Sequence, residues 1–303
     1  MPKAHRSASK LVRQVAPVVR QNLGLGRAED PAPAPGGPLD LDRWARSTLG
    51  VYWLGHASVL VRVGGVTVLT DPHFQETSGP RIGGRPVGRR RSTALPMTID
   101  ELPPIDVIAL SHAHMDHWEK RSLDRLARPE TSVVIPRRTR GLLPGRGRAF
   151  GEIAEVHWGE SVTVRGLEFG AVRPRHWGAR WAIDWWRGFN AYTIEAASKR
   201  ILFAGDTGET DAFDGIGPID LAILGIGNSY EPWARHHMNP EQAAAMAERM
   251  GANLVAPVHH ATFHDPSEGR DEPLDRLRRV WPQDRIVCAR VGEAHYEVDA
   301  DRE

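Results

Sequence analysis

The run Ser111-His-Ala-His-Met-Asp-His-Trp118 constrains this chain more than any other segment. It sets His112, His114, Asp116 and His117 directly after Asp106-Val-Ile-Ala-Leu110, a short apolar run that reads as a buried strand. Burying that many polar side chains without partners costs roughly 1–3 kcal/mol for each. Imidazoles beside a carboxylate suit a borderline divalent ion, zinc first. His112 and His114 alternate by two, so they share one face and can share one ion. Asp116 and His117 come after the chain has turned and can reach a second. The competing reading is a polar loop that opens a helix, which leaves the clustering of ligand types unexplained.

Two ions need further ligands, each placed at the end of a strand. Three segments offer them. His176 follows Leu167-Glu-Phe-Gly-Ala-Val172, which reads as a strand. Asp206 lies in Ile201-Leu-Phe-Ala-Gly-Asp-Thr-Gly208, where glycine lets the backbone approach an ion closely. His259 ends Leu254-Val-Ala-Pro-Val-His259, another apolar strand. Ligands at the ends of several strands are what a site on one rim of a sheet requires.

On these residues the chain resembles the metallo-β-lactamase superfamily, whose signature is His-x-His-x-Asp-His. Within it, the chain is most similar to the branch that includes N-acyl-phosphatidylethanolamine phospholipase D and its bacterial relatives. The matching motifs are Trp53-Leu-Gly-His-Ala-Ser58, Leu69-Thr-Asp-Pro72, Leu102-Pro-Pro-Ile-Asp106, Arg175-His-Trp177 and Phe203-Ala-Gly-Asp-Thr-Gly208. Tyr230-Glu-Pro-Trp233, His237-Met-Asn-Pro-Glu241 and His259-His-Ala-Thr-Phe263 complete the set, in family order.

The resemblance implies an αβ/βα four-layer sandwich over residues 50–303, preceded by a basic tail and Pro-rich linker over 1–49. It implies two zinc ions, with iron or manganese as alternatives. His112, His114 and His176 would bind the first, Asp116, His117 and His259 the second, with Asp206 bridging. It further implies phosphodiester hydrolysis with a metal-bridging hydroxide as nucleophile, held by Asp116. A histidine at position 114, where oxygen-reducing flavodiiron relatives carry Glu, argues for hydrolysis. His237 matches a family histidine near the substrate, as a binding residue or proton donor; the alternative is a structural role beside the Asn239 cap. Other reactions on the same scaffold are hydrolysis of lactones, lactams or other carbonyl substrates, and nuclease activity. A metal-binding protein without catalysis is a further reading that a complete ligand set disfavours. Relatives often form dimers, which leaves a homodimer open, and the sequence does not itself set the oligomeric state.

Around these ligands the reading is less direct. Asp71 ends a strand near the signature and is expected to accept from a ligand imidazole and fix its tautomer. The alternative is an Asx turn before Pro72. His56 either contacts the site or satisfies a core hydrogen bond. His260 is expected behind the ligands rather than among them, His236 in solvent, and His157 as a weaker rival to His176. Arg81, Arg85, Arg89, Arg90 and Arg91 lie in a Gly-rich loop that either pairs with a phosphate or is solvated. Trp177, Trp181, Trp185 and Trp186 either wall an apolar pocket or cover the sheet; here the chain departs from the mammalian enzyme.

Composition places limits on partners. A net charge of +1 on 303 residues provides no global field for nucleic acid. The substrate is therefore expected to be a small molecule or a lipid. One cysteine, Cys288, excludes an internal disulfide, and Arg285-Ile-Val-Cys-Ala-Arg290 reads as a core strand. No 18-residue apolar run occurs, so no spanning helix is expected. Residues 1–27 combine basic residues with Leu11, Val12, Val15, Val18, Val19 and Leu23 at helical spacing. Such a segment either touches an anionic membrane or forms a tail. A cytoplasmic protein, peripheral at the membrane surface if that segment binds, is the expected location. The Asn239 cap, Pro240 and Gly251 predict a helix over 240–250, and Glu119–Ala127 a second.

Overall fold

The computed structural model describes residues 30–181, 183–196, 199–231, 233–263 and 268–298. The basic segment 1–27 lies outside them. Among the described residues no helix is long and apolar enough to cross a membrane.

Alternating apolar residues build the first sheet. Its early strands are β1 (Leu49–Gly55), β2 (Ser58–Val63) and β3 (Val66–Thr70), preceded by helix α1 (Leu41–Arg46). Four two-residue strands follow: β4 (Thr77–Ser78), β5 (Arg81–Ile82), β6 (Arg85–Pro86) and β7 (Arg89–Arg90). Then come β8 (Val107–Ala109), α2 (Lys120–Leu126), β9 (Ser132–Pro136) and β10 (Ile153–Val156). The second sheet uses β11 (Ser161–Val164), β12 (Leu167–Val172), β13 (Ala191–Ala196), β14 (Lys199–Phe203), β15 (Ile219–Gly225) and β16 (Ala252–Val258). Helix α3 (Pro240–Arg249) precedes β16, and α4 (Glu272–Val280) and β17 (Ala294–Glu297) follow it. The sheets run β10-β9-β8-β3-β2-β1-β17 and β11-β12-β13-β14-β15-β16.

Strand periodicity then fixes four layers. Val51, Trp53, Val59, Val61 and Val68 face inward and meet Phe169, Tyr192, Ile194, Phe203, Leu221 and Ile223 of the second sheet. Their neighbours Tyr52, Leu54, Leu60 and Leu69 face outward and pack on Trp44 of α1 and on Leu123 and Leu126 of α2. On the far side, Leu202, Ala222, Leu224 and Val255 pack on Ala243, Met246 and Ala247 of α3 and Leu277 of α4. This is the αβ/βα sandwich that the resemblance implies.

Two helices match their sequence signals closely. Asn239 and Gln242 form a reciprocal capping box on α3, and Gly251 ends it with φ +63°. Glu119 caps α2 through its side chain rather than extending it. Elsewhere the structure differs. Cys288 is buried, at 4 % exposure, but residues 285–290 form no strand. Cys288 has φ +49°, and that stretch pairs with the sheet as a single Val255–Ile286 bridge, backed by Val287 N donating to the Val255 carbonyl (2.9 Å) and Cys288 Sγ to the Val51 carbonyl (3.4 Å). The edge strand is β17, which pairs with β1. The packed body also begins before residue 50, because Leu39 and Trp44 are buried and Trp44 Nε1 donates to Thr67 Oγ1 (3.3 Å).

Trp44→Ala should therefore lower stability by about 3–5 kcal/mol, as a large core truncation does. Denaturant unfolding measures this, and a loss under about 1 kcal/mol would mark residues 39–46 as dispensable to the core.

Candidate metal centre

Strand direction gathers the chemistry on one rim. β1 is antiparallel to β2, and β2 to β3, so β1 and β3 run the same way. β3 is parallel to β8. In the second sheet β14, β15 and β16 are parallel, and β12 joins their direction through two antiparallel pairings. The residues just past the C-terminal ends of these strands are His56, Asp71, the 111–117 run, His176, Asp206 and His259. Gly205 lets the two sheets approach there. It has φ +58°, and a Cβ on it would stand 2.7 Å from Ser111 Cβ. Four non-glycine residues on this rim also hold positive φ: His56, Asp71, Asn228 and His259. Such strain persists where surrounding contacts over-determine it.

Two donor groups form. His112, His114, His176 and Asp206 make the first, and His56, Asp116, His117 and His259 the second. In the first, His112 Nε2 is 2.8 Å from His114 Nδ1, and His176 Nε2 is 3.2 Å from the same atom. Asp206 Oδ2 lies 3.8 Å from His112 Nε2 and 3.7 Å from His176 Nε2. In the second, Asp116 Oδ2 is 3.7 Å from both His117 Nε2 and His259 Nε2. Asp206 reaches this group too, with Oδ2 3.1 Å from His117 Nε2 and Oδ1 3.2 Å from His259 Nε2. Asp206 thus stands between the two groups. His237 Nδ1 lies 3.8 Å from its Oδ2.

A surrounding layer fixes which nitrogen faces inward. Asp71 Oδ2 is 2.6 Å from His117 Nδ1 and accepts from Ser111 Oγ, while its Oδ1 accepts from Ser111 N (2.7 Å). With its own proton committed to Asp71, Ser111 Oγ can accept from His112 Nδ1 (2.9 Å). The His236 carbonyl lies 3.1 Å from His176 Nδ1. These partners occupy the Nδ1 atoms and turn the Nε2 lone pairs of His112, His117 and His176 toward the centre. Asp116, a quarter exposed, is held by the buried His56, whose Nε2 is 3.0 Å from Oδ2.

The electrostatics fit a cation between the groups. The buried Nε2 atoms of His117 and His259 have no hydrogen-bond partner, although each faces Asp206. Burial opposes charge on both imidazoles, yet Asp206 and Asp116 outweigh it. They hold His117 well above 6.5 and His259 at about 9. Burial likewise resists the charge on Asp206, but His117, His259 and His237 keep its carboxyl well below the usual range. His112 and His176 are pushed well below 6.5 and His114 to about 4, in each case first by burial. Neutral imidazoles and ionised carboxylates are the ligand forms that a divalent ion needs. This donor set suits zinc, and also iron or manganese.

Several expected residues lie elsewhere. His157 packs on Trp158, not on the centre. His260 packs on Trp53 at 4.7 Å, behind His259. His236 is only partly exposed, and its ring packs on Trp177 at 4.6 Å. The loop arginines have separate partners. Arg91 is buried against the carbonyls of His73 and Gln75, Arg89 donates to Asn228 and to the Phe263 carbonyl, and Arg81 and Arg85 are exposed. Trp177 does reach the site, 4.7 Å from His114 and 4.4 Å from His176. Sequence reading missed Asn228, whose side chain lies 3.3 Å from His259 Nδ1. Its position just past the end of β15 was the available signal.

Comparison with known proteins identifies the family and the fold. A sequence model described as a beta-lactamase superfamily domain matches residues 67–260. An uncharacterised protein of Mycobacterium tuberculosis is 30 % identical over 266 residues, covering 85 % of this chain and 71 % of that protein. An N-acyl-phosphatidylethanolamine-hydrolyzing phospholipase D of Caenorhabditis elegans is 28 % identical, covering 79 % of this chain and 71 % of that one. Among solved structures, CmlA, a diiron β-hydroxylase from Streptomyces venezuelae, superposes with a TM-score of 0.59 at 23 % identity. It is matched over 83 % of this chain and 54 % of CmlA.

Metal titration checks the ligand map. Asp206→Ala should lose most of both ions, and Asp71→Asn should weaken affinity about 10–100-fold while the fold persists by circular dichroism. Retention of both ions by the Asp206 variant would refute the shared carboxylate. Because ions must displace the protons on His117 and His259, affinity should rise with pH from about 6 to about 9, with proton release in calorimetry. A flat profile would mean that those imidazoles are not ligands.

Proposed function

The chain belongs to the β-lactamase superfamily as a metal-dependent hydrolase, and from that premise we propose that it is a binuclear phosphodiesterase acting on a small-molecule or lipid substrate. The observation that carries this reading is the Asp206 carboxylate, which faces His117 Nε2 at 3.1 Å and His259 Nε2 at 3.2 Å while closing the His112, His114 and His176 group. Likeness to the C. elegans phospholipase supports phosphorus as the attacked centre.

Two divalent ions held by these residues, zinc in the favoured case, would supply a water activated at neutral pH and neutralise charge on the reacting oxygens. The chain supplies position and proton control. Burial holds His56 neutral, at about 3, with His259 adding to the effect, so its Nε2–H can donate to Asp116 Oδ2. That contact aims the Asp116 carboxylate into the centre, where it can take a hydrogen bond from the attacking water. His237 is also neutral, pushed to about 4 chiefly by burial. It is therefore suited to donate a hydrogen bond to a substrate oxygen from a fixed place. Its ring stacks on His259 at 5.0 Å, which fixes that place. Trp177 covers His114 and His176 and excludes water from that side.

One observation favours a second reading. The loop arginines bond to backbone carbonyls and Asn228 rather than to the centre, and Trp177 presents an apolar wall beside it. A neutral lactone or other carbonyl substrate suits that wall.

Hydrolysis of bis-p-nitrophenyl phosphate beside a lactone panel, on metal-analysed protein, separates the two. Phosphodiester turnover without lactone turnover is expected, and the reverse would transfer the activity to acyl carbon. His237→Ala should keep its metal and lose about 100-fold in kcat. Unchanged turnover would exclude it from the reaction.

A further inference from the structure

The segment between His176 and β13 carries the largest group of exposed apolar side chains among the described residues. Trp181 is 53 % exposed, Ile183 77 %, Trp185 77 % and Trp186 47 %. Water-exposed apolar clusters of this kind mark interaction sites. These side chains are not displayed by a loose loop. Asp184, only 4 % exposed, accepts from Trp181 N (2.7 Å) and from Arg187 Nε (2.6 Å). Gly188 N donates to the Arg137 carbonyl at 2.9 Å. At the neck, a Cβ on Gly178 would stand 2.4 Å from the Gly188 carbonyl oxygen. Arg180 Nη1 ties the base to the carbonyls of Ala113 (3.1 Å), within the 112–117 run, and Trp118 (2.8 Å), just after it. The fold thus fixes an apolar platform to the rim that carries the metal centre.

Charge selects the partner. Lys120, Arg180 and Arg187 gather at the base of the platform, Arg187 paired with Asp184 (2.6 Å), and Arg137 and Arg138 meet the loop through their backbone carbonyls. Arg187 Nη1 donates to the Arg138 carbonyl, and Arg180 and Arg187 both act electrostatically on Lys120. The carboxylates nearby are already engaged. Asp184 is buried in the loop, Glu119 caps α2, and Glu155 accepts from Arg138 N. We infer that this tryptophan platform with its cationic base docks onto an anionic lipid surface and sets the metal centre against the bilayer interface.

Tryptophan favours the headgroup boundary, where its ring is apolar and its N–H is wet. Each nearby cation adds attraction to an anionic leaflet. A second copy of the chain fits less well, because symmetric pairing would set cations against cations. A nucleic acid strand fits less well too, because Ile183, among the most exposed of the group, offers no face for stacking. The inference does not depend on which ester is cleaved.

The test uses the full chain, vesicles of phosphatidylcholine alone, and vesicles with about 30 % phosphatidylglycerol. Sedimentation should show binding to the anionic vesicles and weaker binding to the neutral ones. The double variant Ile183→Ser with Trp185→Ser should bind at least about tenfold less, with metal content and melting temperature unchanged. Lys120→Gln should weaken binding to the anionic vesicles alone. Equal binding by the double variant would overturn the inference and transfer attachment to another segment, residues 1–27 included. Absence of vesicle binding by the unaltered chain would overturn it as well. In that case, loss of a dimer by light scattering, or of oligothymidylate binding, in the double variant would identify the other occupant.

Discussion

A carboxylate buried between two histidine groups organises this molecule. Asp206 is 4 % exposed, and an ionised side chain is costly at such a place unless cations surround it. Its position needs both sheets at once. β14 delivers it, and the 111–117 run from the other sheet supplies His112 and His117 against it. The sheets are locked at the same level by Tyr192, whose hydroxyl donates to the Leu110 carbonyl (3.0 Å), and by Asn190 N, which donates to the Ser111 carbonyl (2.8 Å). The apolar layer between the sheets sets their separation, and the carboxylate depends on that separation. Packing in the core and geometry in the site are therefore one constraint.

The layer behind the donors explains how so many imidazoles stay in order. Asp71 accepts from Ser111 and faces His117, and Ser111 in turn faces His112, so one buried carboxylate fixes two rings. Burial raises the Asp71 carboxyl above its ordinary range, while His117 and Ser111 oppose that shift. His56 does for Asp116 what Asp71 does for His117. The fold alone does not choose a reaction, since a diiron hydroxylase shares it. His237, Trp177 and Asp116 are the side chains that border the donor groups.

One loop joins the site to the surroundings. It starts at His176, contributes Trp177 to the wall of the centre, and carries the exposed tryptophans a few residues later. A single segment thus spans the distance from the candidate metal centre to the molecular surface.

Much of this was legible in the sequence because it is local. Spacing within Ser111-His-Ala-His-Met-Asp-His-Trp118 sets which side chains share a face. Strand-end placement of His176, Asp206 and His259 needs only the apolar run before each. The α3 cap is read from Asn239, Pro240 and Gly251. Helix α1 was hidden by the prolines before it, and β17 by a lack of alternating apolar residues. The tertiary structure alone decided what depends on neighbours distant in the chain. His56 meets Asp116 across 60 residues, and Asn228 meets His259 across 31. The same holds for the arginine loop, where Arg91 is buried on carbonyls while Arg81 stays in water, although the two look alike in sequence. It holds for the tryptophans too, since Trp177 is covered by His236 and His114 while Trp185 stays 77 % exposed beside Trp186. Composition fixes what a side chain can do; burial and partners, set by segments far along the chain, fix what it does.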